Sequence, residues 1–155
     1  FIKEFSVEGQ LSELCARIKA AFPASILFVT GDASGNHGDV GFESRHATYY
    51  QMIRSYLNIN ERQLNLNTKN LEFGDSRQLC NVMFFEYKGL VISDACPLLI
   101  NDCIIATVDE EKSRPHILKK DRDAYKMDLF DAMRYFFQTH FREYVVSLHP
   151  GKLSA

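Results

Sequence analysis

The run Ser25-Ile26-Leu27-Phe28-Val29-Thr30 decides how the fold is read. It is almost continuously apolar and rich in β-branched and aromatic side chains, the composition of a strand buried on both faces and therefore central in a sheet. Upstream of it, Leu11, Leu14, Cys15, Ile18, Ala21 and Phe22 recur at helical spacing, and Pro23 stands where that helix should stop. Further back, Phe1 to Val7 alternates apolar and polar residues and is read as a short strand. On the other side, Gly31, Gly35, Gly38 and Gly41 mingle with Ser, Asn and Asp in a long loop through residue 44. Loops of that length often carry function.

Beyond the loop, Ala47 to Leu57 reads as a helix with Tyr49, Tyr50, Ile53 and Leu57 on one face, and Leu64 to Asn67 as a short strand. Asp75 or Ser76 is expected to cap a helix carrying Leu79, Val82 and Met83 and ending at Gly89. Leu90 to Ser93 is a further short strand, and Pro97 occupies the first turn of a helix running to about Ala106. Residues 107–125 are charged and irregular. From Lys126 to about Leu148 a long helix presents Met127, Phe130, Met133, Phe137, Phe141 and Val145 as an apolar stripe. Strands alternating with helices indicate an α/β sheet domain.

With 155 residues and 46% apolar composition, the chain suits one domain over residues 1–155 with one core. A net charge of −2 with 25% charged residues excludes a disordered polyelectrolyte and a strongly basic nucleic-acid coat protein, so any DNA contact must come from a local patch. Cys15, Cys80, Cys96 and Cys103 lack the paired spacing of a zinc site and are read as buried, reduced thiols. No apolar stretch approaches the ~20 residues of a membrane span, and the first residues show no signal-peptide pattern. The expectation is a cytoplasmic protein with no membrane partner.

Three aspartates are the candidates for chemistry. Asp32 follows the apolar run directly, where open α/β sheets place their ligands; the same Asp-Ala-Ser-Gly sequence also suits a turn whose Asp accepts backbone N–H bonds. Asp128 and Asp131 are three residues apart on one side of the last helix. Two like charges there repel unless a cation or basic side chain lies between them, although a helix N-terminus also favours carboxylates. A two-metal nuclease needs several such carboxylates to hold ions ~3.5–4 Å apart, and an oxygen donor set suits Mg²⁺ or Mn²⁺. Residues 111–126 hold six basic side chains, among them Lys112, Arg114, Lys119, Lys120 and Arg122, against three acidic ones. They either grip DNA phosphates or form a solvated loop.

Five segments occur in an order that resembles a known family: Phe-Val-Thr-Gly-Asp32-Ala-Ser-Gly, Tyr49-Tyr-Gln-Met-Ile-Arg54, Asp75-Ser-Arg-Gln-Leu79, Ile92-Ser-Asp-Ala-Cys-Pro-Leu-Leu-Ile100 and Lys126-Met-Asp-Leu-Phe-Asp-Ala-Met-Arg-Tyr135. The chain looks like the C-terminal nuclease domain of phage or prophage large terminase subunits. That resemblance implies a ribonuclease H-like mixed sheet flanked by helices, lacking the first strand. It also implies a Mg²⁺- or Mn²⁺-dependent endonuclease that cuts concatemeric viral DNA for packaging in the host cytoplasm during virion assembly.

Residue by residue, Asp32 matches the family's acid after the fourth strand, and Asp128 and Asp131 match those on the last helix. The family's first acid lies on an opening strand expected to precede Phe1, which leaves Glu4, Glu8 or Glu13 as substitutes. Implied partners are double-stranded DNA, the portal and the small terminase subunit. The absent strand would expose a sheet edge and so favour a homodimer. Two other functions fit the same pattern: another ribonuclease H-like nuclease (a resolvase or integrase-like protein) and a non-catalytic module that docks DNA or a portal.

Overall fold

The computed structural model describes residues 1–7, 9–36, 47–106 and 127–148. Over these residues the chain is helical and forms no β-strand, so the ribonuclease H-like mixed sheet expected from the sequence is not built. The expected strands Phe1–Val7, Ser25–Thr30, Leu64–Asn67 and Leu90–Ser93 have no ladder. What survives of them is a single parallel bridge, Val29 to Leu64, among the described residues. The reason is physical: β-branched and aromatic side chains favour an extended backbone, but a sheet also requires neighbouring chains about 4.8 Å away to take up its amides and carbonyls. Contacts group the chain into two compact units, one of Phe1–Glu4 with Leu71–Ala155 and one of Phe5–Asn70.

In the Phe5–Asn70 unit, α1 (Leu11–Ala21) packs against α2 (Tyr49–Leu57). The first helix stops one residue short of the sequence expectation, with the Phe22 amide closing on the Ile18 carbonyl at 3.0 Å. Thr48 and Gln51 start α2 by a reciprocal capping box, in which the Gln51 amide donates to Thr48 Oγ1 and the Thr48 amide to Gln51 Oε1. Asn58 ends it in the left-handed region (φ 55°), a conformation asparagine tolerates better than most residues. Cys15 on α1 and Tyr50 and Leu57 on α2 are buried.

The larger unit consists of α3 (Phe73–Glu86), α4 (Pro97–Ile105) and α5 (Asp128–Leu148), with α3 and α4 both packed on α5. The stripe read from the sequence is the core: Phe130, Met133, Phe137 and Val145 are buried on α5, against Leu79, Val82 and Met83 of α3 and Leu99 of α4. Phe137 is completely enclosed, with edge-on contacts to the rings of Phe1, Phe84 and Phe141 at centroid distances of 6.0–6.2 Å. Helix starts inside this core are satisfied by remote carboxylates. Pro97 opens α4, and the Leu98 and Leu99 amides donate to the two oxygens of Glu4 at 3.0 and 2.9 Å. The Phe130 amide of α5 donates to Asp102 Oδ2 at 3.2 Å. The cap of α3 is Glu72 rather than Asp75 or Ser76, because the helix begins at Phe73 and takes both of those residues inside it.

No helix among the described residues is long and apolar enough to cross a membrane. All four cysteines are free thiols. Burial pushes the Cys80 thiol up to about 12, against a lowering pull from Arg134, and the Cys103 thiol up to about 11. In the unfolded chain both return towards 9.0, so between pH 9 and 11 the unfolded state binds fewer protons than the folded one and stability falls as pH rises. Urea midpoints measured across that range are expected to drop, and to drop less in Cys80→Ala. Phe137→Ala should destabilise by about 3–5 kcal/mol in the same urea titration, whereas Phe85→Ala, at a side chain 90% exposed, should change stability by less than about 0.5 kcal/mol.

Candidate functional site

Two of the three carboxylates singled out from the sequence, Asp32 and Asp131, have structural partners. Asp32 Oδ1 accepts from the Ser34 amide at 2.8 Å and from Asn70 Nδ2 at 2.6 Å, while Asn70 Oδ1 accepts from the Ala33 amide at 3.0 Å. This opens the 3₁₀ turn Ala33–Asn36, the turn role that Asp-Ala-Ser-Gly also allowed. The buried Tyr50 hydroxyl donates to the Asp32 carbonyl at 2.7 Å, and a Cβ built on Gly31 would stand 2.6 Å from that hydroxyl oxygen, one built on Gly35 2.7 Å from the ring. Glycine is required at both positions by that approach.

Asp128 is exposed at the start of α5. Asp131, one turn on, is paired with Arg134 at 2.6 Å, and Arg134 also donates to Ser76 Oγ and lies over the Phe73 ring at 5.1 Å. The basic side chain that two neighbouring acids require is therefore supplied by the same helix.

Asp32 belongs to the Phe5–Asn70 unit and Asp128 and Asp131 to the other. Among the described residues no group of three or more His, Cys, Asp or Glu side chains could hold a metal ion. A two-metal mechanism needs several carboxylates converging on one point. With neither the sheet nor the cluster formed, the metal-dependent endonuclease expected from the sequence is corrected, and with it the ribonuclease H-like resolvase or integrase alternative. Among the described residues, Asp32 Oδ1 accepts from Asn70 and Asp131 Oδ1 from Arg134. Glu4 caps α4, and Glu13 pairs with Arg17. Glu8, His37, Asp39 and the basic residues Lys112, Arg114, Lys119, Lys120 and Arg122 lie outside the described residues.

The feature that sequence reading placed wrongly is Ser25–Thr30 itself. It was expected to be buried centrally, yet Ile26 is 79% and Phe28 67% exposed. Its geometry follows from alternation. Successive residues of an extended chain aim their amide and carbonyl to opposite sides. The Val29 amide donates to the Gln63 carbonyl and the Val29 carbonyl accepts from the Asn65 amide, both at 2.8 Å. Gln63 Nε2 donates to the Leu27 carbonyl at 2.7 Å, while Gln63 Oε1 accepts from the Asn60 amide at 3.0 Å. Leu27 and Val29 thus face the 60–65 segment, and Ile26 and Phe28 face away. Among the described residues nothing bonds the backbone of Ile26 or Phe28. Both side chains fall on one face, two residues apart, beside this open edge.

Such an edge is a template for another extended chain: it offers amides and carbonyls at a fixed repeat, with apolar side chains beside them. The larger unit has a comparable pairing that is already occupied, where the Ser93 amide donates to the Phe1 carbonyl at 2.8 Å. Its shallow groove of about 370 Å³ between Phe84, Phe85 and Lys88 lacks such a directional repeat. The sequence did signal the extended backbone; which side of it stays open depends on Gln63, more than thirty residues away.

Comparison of the chain with protein-family models, with curated proteins and with solved structures finds no match.

Gln63→Ala removes the partners of both the Asn60 amide and the Leu27 carbonyl. At about 0.5–1.5 kcal/mol for each bond, it should lower stability by about 1–3 kcal/mol. Amide exchange at Val29 and Asn65 should accelerate in the variant, while exchange in α5 stays unchanged.

Proposed function

We propose that this chain is an interaction module that works by backbone pairing, taking an extended polypeptide segment onto the open edge of Ser25–Thr30. One observation supports this reading: Ile26 and Phe28 carry unbonded amides and carbonyls among the described residues, next to apolar side chains that stand mostly in solvent. Pairing supplies the missing backbone bonds, and the incoming side chains cover Ile26 and Phe28. The main-chain bonds contribute affinity without regard to the partner's sequence, and selectivity comes from what packs on Ile26 and Phe28. An intracellular setting suits four free cysteines, two of them held as thiols by burial.

Proline at position 28 separates pairing from folding. It removes an N–H that has no partner among the described residues, and proline is tolerated in extended edges whose amide faces solvent. Phe28→Pro should therefore leave the helical circular dichroism and the urea midpoint nearly unchanged. The probe is a lysine-flanked peptide of alternating threonine and valine, added to dilute protein. In the parent chain the Ile26 and Phe28 amide resonances should shift saturably and their exchange should slow, and in Phe28→Pro, which lacks the second amide, both effects should vanish at Ile26. Binding that persists in the proline variant, or shifts confined to other residues, would refute the proposal.

A further inference from the structure

We infer that the occupant of this edge is a second copy of the same segment, antiparallel, with Leu27 on the twofold axis; this rests on the edge being a pairing surface. The register follows from parity. In an antiparallel pair, residues that exchange two backbone hydrogen bonds alternate with residues that exchange none. Among the described residues, Ile26 and Phe28 are the ones that face outward with unbonded groups in this stretch. Centring the twofold axis on Leu27 sets Ile26 opposite Phe28 of the second copy and Phe28 opposite its Ile26. All four outward amides and carbonyls of each copy are then used, in four reciprocal bonds. Leu27 faces its own copy at a position that exchanges none, as its backbone direction towards Gln63 requires.

Side-chain chemistry agrees with that register. Each contact on the exposed face is an aromatic ring against a β-branched chain, a pairing that stabilises antiparallel strands. A self-complementary surface also places every charge near its own copy, where like charges repel. From Phe22 to Thr30 there is no charged residue at all, so nothing opposes the encounter. Association stops at two, because the opposite side of the segment is already bonded to Gln63 and Asn65. An edge this short buries less than the roughly 1,200 Å² of a standard interface, so the dimer forms and dissociates with concentration.

Sedimentation velocity of the full chain should show the average mass rising from one chain towards two as concentration increases. The double variant Ile26→Lys with Phe28→Lys faces its copy with two pairs of like charges and should stay monomeric with unchanged helical circular dichroism. Cross-linking reports the register independently. Leu27→Cys meets its own copy at a Cα separation near ~4.5 Å, within disulfide reach, and should oxidise to a covalent dimer. Ser25→Cys, opposite Val29 of the second copy, should not, and neither should the parent. A parent chain that remains monomeric at every concentration, a lysine variant that still dimerises, or Ser25→Cys cross-linking as fast as Leu27→Cys would each overturn the inference. If the parent is monomeric but the threonine–valine peptide still shifts Ile26 and Phe28, the pairing proposal stands and the second copy is the wrong occupant; loss of both signals overturns both.

Discussion

An extended peptide cannot satisfy itself. Its amides and carbonyls point outward on alternate sides, and something else must accept them or water will. In this chain one side-chain amide settles which side is satisfied. Gln63 holds its own turn by accepting from the Asn60 amide, and its other end reaches the Leu27 carbonyl. Once Leu27 is held, Val29 falls into place between the Gln63 carbonyl and the Asn65 amide. Ile26 and Phe28 then have no choice of direction, and they carry their side chains into solvent with them. The open edge is thus a by-product of a local anchoring, and its parity descends from that contact.

The larger unit meets the same demand with side-chain oxygens. A helix begins with amides that have no partner of their own, and inside a core each such amide left bare costs on the order of 1–3 kcal/mol. Glu4 serves α4, Asp102 serves α5, and Gln138 accepts from the Leu71 amide just ahead of α3. Asp102 is buried to 8% exposure among apolar side chains, a position a carboxylate keeps only when it is bonded. Asp131, Arg134, Ser76 and Phe73 form a second such set between α5 and α3. Glu4, Asp102 and Asp131 thus act as building material at or near helix starts.

The helices were legible because their signals are local. Pro23, Pro97 and the Phe130-Met133-Phe137-Val145 spacing each state a boundary or a face within a few residues of themselves. The turn at Asp32 was legible for the same reason, since its Ser34 bond spans two residues. The sheet was misread because hydrophobic runs such as Ser25–Thr30 and Leu90–Ser93 declare an extended backbone and say nothing about whether partners exist to pair it. Nor could spacing show that Asn70, thirty-eight residues on, would occupy the Asp32 carboxylate. The start of α3 slipped past Asp75 and Ser76 because Ser76 faces inward, where it receives Arg134.

The seat of Tyr50 bears on how this chain can change over generations. Its ring fills the space where Gly35 lacks a side chain and its hydroxyl the space at Gly31, and that hydroxyl is tied to the Asp32 carbonyl, so it cannot swing aside. A methyl group arriving at either glycine meets the tyrosine with nowhere to go, and a smaller residue arriving at 50 leaves a hole over two bare backbones. Neither step is tolerated well alone, whereas together they restore a fit. The three positions should therefore drift as a set or not at all, so among descendants of this sequence a side chain at 31 or 35 would be inherited alongside the loss of the tyrosine.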